Sequence, residues 1–408
     1  MTRIVIVGAG QAGAQVAFSL RQWGHDGTIA LVGDEPAPPY ERPPLSKEFL
    51  KGELDEAGLY FKTAAWYGDN GVELKTGVAA DAIDCAQRVV SLSDGSEVGY
   101  DNLVLSTGSR PRALPVAGVS LAGVFELRTM ADARRIGEAL VPGARALVVG
   151  AGYIGLEVAA VARLRGLDVT VLEAMPRVLA RVAGPVISEF FESEHRSRGV
   201  DIRCGARLAA LEGRERLEGA RLADGMQIAA DIAVVGVGIQ PCDELARACG
   251  IECDNGIVVD RDARTSDPRV FAAGDCARRP LVHYERAGRL ESVHNAIEQG
   301  KLAAAAILGR PRPAEDVPWF WSDQYDLKLQ IAGLSEGHDH IVVRGNPADR
   351  RFAAFYLKDG RLIATDAVNS PMEFMASKQL IARGARPDPA LLGDTDVSMK
   401  QIVAAHAV

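Results

Sequence analysis

Two short runs of aliphatic residues, 4–7 and 146–149, are apolar at consecutive positions rather than at alternate ones. This pattern is typical of strands that helices cover on both faces of a parallel sheet. Each run leads into a glycine-rich turn, then a stretch with helical periodicity that ends near Trp23 or Arg165, then a second apolar run. The order strand, turn, helix, strand predicts a βαβ unit, and the chain contains it twice.

Both turns have the spacing G-x-G-x-x-G. In dinucleotide-binding folds the first glycine makes the tight turn, the second admits a pyrophosphate, and the third lets helix and strand pack closely. The N-terminus of the following helix attracts phosphate groups. The alternative, two glycine turns in an α/β protein that binds no nucleotide, is disfavoured because the complete context occurs twice. The glycines are Gly8, Gly10, Gly13, Gly150, Gly152 and Gly155.

Acidic residues follow the second strand of each unit, where a carboxylate can bind ribose hydroxyls. They are Asp34 and Glu35 in the first unit and Glu173 in the second. Two later strands return the chain to the first sheet and end at Thr107-Gly108 and at Asp275. A carboxylate at Asp275 can accept hydrogen bonds from a ribityl chain. Two dinucleotide folds in one chain suggest FAD together with NAD(P)H.

Beyond a proline- and arginine-bearing linker at 309–318, the hydrophobic pattern changes. It predicts strands at 328–332, 340–344, 352–357 and 362–369, a hairpin turn at 358–361, and helices near 372–383 and 397–405. The predicted fold class is therefore α/β, with two Rossmann-like domains of the glutathione-reductase type and a C-terminal α+β domain. We predict an FAD domain from 1–113 and 239–316, an NADH domain at 114–238, and a C-terminal domain at 317–408.

The composition of the chain argues against several classes of function. The 408 residues carry a net charge of −8, which argues against nucleic-acid binding. No apolar run reaches the length of a membrane span, and the early first strand leaves no room for a signal peptide, so we expect a cytoplasmic protein. The six cysteines form no C-x-x-C pair and are expected to be reduced thiols. No metal site is predicted, and His338 and His340 are assigned to a solvated turn.

Four segments, 39–47, 150–157, 265–278 and 319–325, carry a more specific resemblance. Through them the sequence resembles the NADH-dependent ferredoxin reductases of bacterial oxygenase systems, within the two-dinucleotide flavoprotein disulfide-reductase superfamily. The resemblance implies electron transfer from NADH through FAD to a separate 2Fe–2S ferredoxin. That ferredoxin would supply a cytochrome P-450 or a Rieske oxygenase. The resemblance is compatible with a monomer or a weak homodimer.

The resemblance also implies site residues. Lys47 and Glu157 are expected to form an ion pair near the flavin N5 and are the catalytic candidates. Besides the first three glycines, the FAD candidates are Ala12, Asp34, Glu35, Arg42, Lys47, Ala80, Thr107, Gly108, Arg128, Asp275, Val293 and Trp321. Besides Gly150 and Gly155, the NADH candidates are Gly152, Tyr153, Ile154, Glu157, Glu173, Arg181, Gly238 and Glu291.

The helix predicted at 43–50 contains no cysteine, whereas the disulfide reductases of the superfamily carry a redox pair there. Electrons are therefore expected to leave the flavin directly. A basic docking patch is expected from Arg310, Arg312, Lys328 and Lys378, beside Trp319. Two alternatives stay open: an NADH oxidase or rubredoxin reductase, and a non-catalytic flavoprotein that senses NADH.

Overall fold

The structure, a computed structural model, describes residues 2–406. It divides into two compact units. The first unit comprises the described parts of Met1–Glu41, Glu56–Arg110 and Ile239–Pro318, and the second comprises those of Arg42–Asp55, Pro111–Gly238 and Trp319–Val408. The three predicted domain boundaries stay a prediction, because this division into two is coarser. Residues 42–55 belong to the second unit.

In chain order, the strands are β1 (Ile4–Val7), β2 (Ile29–Gly33), β3 (Val72–Thr76), β4 (Ala80–Asp84), β5 (Val89–Leu92), β6 (Glu97–Gly99), β7 (Asn102–Leu105), β8 (Ser109–Pro111), β9 (Val124–Glu126), β10 (Arg145–Val149), β11 (Asp168–Glu173), β12 (Asp201–Cys204), β13 (Leu208–Gly213), β14 (Leu217–Leu222), β15 (Gln227–Ala229), β16 (Ile232–Val235), β17 (Ile239–Pro241), β18 (Ile257–Val258), β19 (Val270–Ala272), β20 (Ala277–Leu281), β21 (Arg286–Gly288), β22 (Trp319–Gln324), β23 (Leu327–Gly333), β24 (His340–Asn346), β25 (Arg351–Lys358) and β26 (Arg361–Val368). The helices are α1 (Gln11–Gln22), α2 (Glu48–Lys51), α3 (Glu56–Leu59), α4 (Ala64–Asp69), α5 (Met130–Ala139), α6 (Tyr153–Leu164), α7 (Pro185–Ser197), α8 (Glu244–Ala248), α9 (Val293–Ile307), α10 (Pro371–Ala382), α11 (Pro389–Gly393) and α12 (Met399–Ala405).

The first unit is built on a parallel sheet of strand order β19-β7-β1-β2-β3. Its central strand β1 is buried throughout. Val5 and Val7 pack on one side, whereas Ile4 and Ile6 pack on the other with apolar residues of α1 and α9. Both faces of the strand are therefore covered, which explains why β1 has no alternation of apolar and polar residues.

The second unit contains a parallel sheet of order β12-β11-β10-β16-β9 and an antiparallel sheet of order β22-β23-β26-β25-β24. The two sheets contribute to one hydrophobic core, which includes Val148 of β10 together with Leu329 of β23 and Phe352 of β25. Helix α10 packs on the antiparallel sheet through β26 and β23. The fold class predicted from the sequence is confirmed.

Three local predictions need correction. Trp319–Gln324 is a strand, although the hydrophobic pattern placed the first C-terminal strand at 328. The helix expected over 43–50 divides into a 3-10 helix, Pro43–Ser46, and the short α2, because Lys47 leaves the helical region at φ −129° and ψ −109°. The segment 265–275 is a strand only over Val270–Ala272. Among residues 2–406 no helix is both long and apolar enough to cross a membrane.

Candidate functional site

The glycine turn of the first unit joins β1 to α1 through two very close backbone contacts. Gly8 has φ +107°, and a Cβ there would lie 2.1 Å from the carbonyl oxygen of Ser106. A Cβ on Gly13 would lie 2.0 Å from the carbonyl oxygen of Gly8. Beside Gly10, in contrast, none of the described residues has an atom within 4 Å of the added Cβ. Packing within the protein explains the first and third glycines, but it does not explain Gly10.

The turn between β10 and α6 in the second unit repeats this geometry. A Cβ on Gly150 would lie 2.4 Å from the carbonyl oxygen of Gly236, and one on Gly155 would lie 2.0 Å from that of Gly150. Gly152 again meets no atom of residues 2–406 within 4 Å. Each turn thus leaves an open cradle at the N-terminus of a twelve-residue helix, where backbone N–H groups and the helix dipole favour an anion. These residues fit a dinucleotide pyrophosphate.

Carboxylates lie at the ends of the second strands, but their surroundings differ. Glu173 accepts hydrogen bonds at 2.8 Å from the N–H groups of Ala151 and Met175, so it is fixed beside the glycine turn. In the first unit Asp34 is exposed, whereas Glu35 accepts a hydrogen bond from the hydroxyl of Tyr40. The carboxylate at Glu173 is therefore held where the ribose of a dinucleotide in the second cradle would lie.

The far end of the first unit's cradle is formed by Asp275 and the start of α9. Asp275 accepts a hydrogen bond from the Ser109 hydroxyl at 2.7 Å. Ala12 packs with Ala273 and Ala296, which places α9 against α1. Val293 is the first residue of α9, whose N-cap Ser292 accepts the N–H of Asn295. The hydroxyl of Thr107 donates to the carbonyl oxygen of Cys242, and Gly108 has φ +68°.

The structure does not place all FAD candidates in one unit. Ala80 begins β4 in the first unit. Arg42, Lys47, Arg128 and Trp321 belong to the second unit. There the Arg42 guanidinium donates to the carbonyl oxygen of Arg128 at 2.7 Å. The ring of Trp321 lies 5.5 Å from that of Trp319.

The NADH candidates belong to the second unit, with one exception. Tyr153 begins α6, and the side chain of Ile154 is 44 % exposed, which suits contact of this aliphatic group with a ligand. Gly238 has φ +105°, and a Cβ there would lie 3.3 Å from the Arg181 guanidinium. Glu291 is the exception, because it belongs to the first unit, where it pairs with Arg289 at 2.8 Å.

Lys47 and Glu157 form the predicted ion pair, with 2.7 Å between Nζ and Oε2. Their side chains are only 8 % and 2 % exposed. The carboxylate also accepts hydrogen bonds from Ser46 at 2.5 Å and from Ser322 at 2.6 Å. Sequence reasoning missed these two serines as partners of Glu157. The available signal was the polar Ser322 within the aromatic segment 319–325.

Burial disfavours the thiolate form of four of the cysteines. All six cysteines are in the thiol form, with no disulfide among residues 2–406. Burial raises the pKa of Cys249 to about 12 and that of Cys276 to about 11, and it also raises the pKa of Cys204 and Cys253. Thiols with raised pKa values are poor nucleophiles. Within the same described range, no group of three or more potential metal-ligating side chains occurs.

The expected basic patch stays a prediction, because its four residues are divided between the two units. Arg310 and Arg312 belong to the first unit and Lys328 and Lys378 to the second. The Arg312 guanidinium donates to Asp262 at 2.7 Å, so its charge is matched locally, and Arg310 lies over the Trp23 ring at 5.9 Å. Lys378 lies 5.8 Å from the centre of the Trp319 ring.

Comparison with known proteins agrees with this geometry. The family model described as pyridine nucleotide-disulphide oxidoreductase matches residues 2–300, and a reductase C-terminal model matches residues 319–403. Putidaredoxin reductase CamA of Pseudomonas putida is 45 % identical over an alignment 408 residues long, which covers 98 % of this chain and 97 % of that protein.

Two solved structures are similar over almost the whole chain. One is the crystal structure of a covalent putidaredoxin reductase–putidaredoxin complex, with a TM-score of 0.97, 44 % identity and 99 % of both chains covered. The other is the ferredoxin reductase for the CYP199A2 system of Rhodopseudomonas palustris, with a TM-score of 0.96, 40 % identity and full coverage of both chains.

The open cradles predict separable effects of two alanine substitutions. Gly10→Ala should leave the fold intact and reduce the FAD recovered per chain, because the new methyl group occupies the place of the pyrophosphate. Gly152→Ala should retain FAD and weaken NADH binding by about tenfold, since overpacking costs about 1–3 kcal/mol. FAD release on acid precipitation and NADH titration measure the two effects.

Each variant makes the same change at a helix N-cap, so each controls for the other's effect on stability. Gly13→Ala and Gly155→Ala provide the contrast, because their Cβ atoms would overlap a carbonyl oxygen and should prevent folding. Normal binding of both dinucleotides in the Gly10→Ala and Gly152→Ala proteins would mean that neither cradle holds a pyrophosphate.

Proposed function

This chain belongs to the pyridine nucleotide-disulphide oxidoreductase family, and we propose that it is the reductase component of an oxygenase system. In that role it passes electrons from NADH through FAD to a separate 2Fe–2S ferredoxin. The observation that carries the proposal is the pair of open glycine cradles, one in each unit, in a chain without a redox thiol at positions 42–55. The ferredoxin would supply a cytochrome P-450 or a Rieske oxygenase.

Bound FAD supplies a centre that accepts a hydride and releases electrons singly. The chain supplies binding and orientation. The cradle at Gly10 and the carboxylate of Asp275 would hold FAD, with the positive end of the α9 dipole at Val293 favouring negative charge on the cofactor. The cradle at Gly152 and the carboxylate of Glu173 would hold NADH. Positioning of the two dinucleotides accounts for most of the rate enhancement.

The ion pair of Lys47 and Glu157 would fix charge at the reaction zone. Both groups are buried and hydrogen-bonded, so they can orient a nicotinamide without the reorganisation that mobile charges require. No thiol is proposed to take part, because Ser46 stands in the segment where disulfide reductases carry cysteine. A cytoplasmic location is part of the proposal and agrees with six cysteines in the thiol form.

A docking surface for the ferredoxin is proposed on α10. Met372 and Met375 lie one turn apart and are 62 % and 54 % exposed. Methionine side chains adapt to a partner surface, and exposed pairs are uncommon without one. Lys378 continues the same helix and lies over the ring of Trp319, so a positive charge borders the apolar patch. The partner suited to this surface is a small acidic protein.

The function is tested by electron delivery. Anaerobic protein with FAD and NADH should reduce cytochrome c rapidly only when a 2Fe–2S ferredoxin is added. In aerated buffer, rapid peroxide formation without ferredoxin would indicate an NADH oxidase, and preference for rubredoxin would indicate a rubredoxin reductase. Slow turnover with every acceptor, together with a change of oligomeric state on NADH binding, would indicate the sensing role.

The charge at Glu173 predicts a preference for NADH over NADPH. A 2′-phosphate beside this carboxylate should cost about 1–4 kcal/mol, so we expect kcat/KM for NADH to be at least tenfold higher. Glu173→Gln removes the charge and keeps one carbonyl oxygen, which can accept from only one of the two N–H groups that now donate to separate oxygens of Glu173, and it should reduce the preference. Glu189→Gln, at an exposed position of α7, is the control. Equal preference in the two variants would mean that Glu173 does not face the ribose.

The docking surface predicts a change specific to ferredoxin. Lys378→Glu should raise the KM for ferredoxin several-fold, since it places like charge against an acidic partner, and it should leave ferricyanide reduction unchanged. Lys400→Glu on α12 is the control, because it makes the same charge change at an exposed lysine of the second unit. The same KM in both variants would place ferredoxin on another surface.

A further inference from the structure

A line of polar side chains extends away from the Lys47–Glu157 pair into the second unit. Ser322 Oγ lies 2.6 Å from Glu157 Oε1, and Gln324 Nε2 lies 3.1 Å from Ser322 Oγ. The next contact joins Gln324 Oε1 to His195 Nε2 at 2.9 Å. Tyr325 completes the line, with 3.2 Å between its hydroxyl and His195 Nδ1. We name these residues, Ser322, Gln324, His195 and Tyr325, the donor chain.

Its three inner members have almost no contact with solvent, since Ser322 and His195 are 0 % exposed and Gln324 is 1 % exposed. Burial of polar groups at this depth is costly unless every hydrogen bond is made. Ser322 and Gln324 lie on β22, whereas His195 lies on α7. The donor chain therefore joins two elements that are far apart in sequence behind the ion pair.

The direction of the hydrogen bonds is fixed from the carboxylate outwards. An ionised Glu157 can only accept, so the Ser322 hydroxyl must donate to it. That hydroxyl then accepts from the amide nitrogen of Gln324, which turns the amide oxygen towards His195. His195 must consequently carry its proton on Nε2, and its Nδ1 accepts from the Tyr325 hydroxyl.

The charge state of His195 is compatible with this direction. Burial lowers the pKa of His195 to about 4, so the ring is neutral near pH 7. The charged groups that influence it are Arg198, whose guanidinium lies 4.3 Å from the centre of the Tyr325 ring, and Glu194. A neutral ring has one donor and one acceptor nitrogen, and the donor chain uses both.

We propose that Ser322, Gln324 and His195 are positioning residues for the Lys47–Glu157 pair, and that they act by delivering one oriented hydrogen bond to Glu157 Oε1. This inference rests on the proposed function, in which the pair lies at the reaction zone of NADH. With Oε1 occupied by Ser322, Lys47 is directed to Oε2, and the buried carboxylate is held in one orientation. The donor chain thereby extends the requirements for hydride transfer to residues outside the dinucleotide cradles.

The kinetic test is anaerobic stopped-flow reduction of the bound flavin by NADH, which requires no ferredoxin. Ser322→Ala should slow the limiting rate by about tenfold and change the NADH dissociation constant by less than about twofold, because a hydrogen bond to a charged group is lost but no ligand contact is lost. Ser322→Thr, which retains the hydroxyl, should restore the limiting rate.

Two further variants separate positioning from packing. Gln324→Met interrupts the donor chain with a side chain of similar volume and should also slow the limiting rate while the NADH dissociation constant stays nearly unchanged. Thr365→Val is the control, because Thr365 is buried in the same antiparallel sheet and its hydroxyl makes no hydrogen bond among residues 2–406. A donor chain that served packing alone would lower the melting temperature in Ser322→Ala and Gln324→Met without slowing the limiting rate, and that result would overturn the proposal.

A spectroscopic readout is independent of turnover. In full-length protein labelled with ¹⁵N-histidine, His195 should be the neutral Nε2–H tautomer and should not titrate between pH 5 and 9. An Nδ1–H tautomer, or a titration near pH 6.5, would overturn the inferred direction. Glu157→Gln distinguishes a failure of the proposed function from a failure of the donor chain. If it leaves flavin reduction unchanged, the proposed role of the ion pair fails. If it slows reduction while Ser322→Ala does not, only the donor chain fails.

Discussion

The second unit depends on one buried electrostatic contact, the ion pair between Lys47 and Glu157. Moving two charges out of water costs several kcal/mol for each, and their mutual attraction balances this cost only when the remaining hydrogen bonds are made. In this chain Ser46 and Ser322 make them. The contact joins the segment 42–55, helix α6 and strand β22, three parts of the chain that no local sequence signal connects. Their arrangement follows from the need to satisfy one carboxylate.

This requirement explains why some of the fold is predictable from the sequence and some is not. The strands β1 and β10 are evident because packing covers both of their faces, so almost every position is apolar. Strand β22 escapes the pattern because it buries Ser322 and Gln324, and a buried polar residue at an inward position hides the alternation on which the prediction relies. The hydrophobic pattern does not predict the break at Lys47 for a related reason. The side chain of Lys47 forms the ion pair, and its backbone does not continue the helix.

The residues of the candidate site likewise divide into those that the sequence predicts and those that it does not. The glycines and Glu173 belong to short motifs whose spacing has a direct physical meaning, and the Lys47–Glu157 pair was expected from the resemblance. Ser322 and His195 contribute through a hydrogen-bonded line that exists only in the folded chain, and neither has a local signature. The cationic patch stays a prediction, because sequence gives the sign of a charge but not its partner, such as Asp262 beside Arg312.

The different surroundings of the glycines in each turn affect which of them can be replaced during evolution. Gly8 and Gly13, like Gly150 and Gly155, are required by the polypeptide itself, and selection for a stable fold retains them in every descendant. A side chain at Gly10 or Gly152 would begin in space that no described residue fills, so only the ligand excludes it. A lineage that ceases to use one dinucleotide is free to replace the middle glycine of that turn alone. The middle position therefore records which cofactor a descendant has abandoned, even while its fold persists.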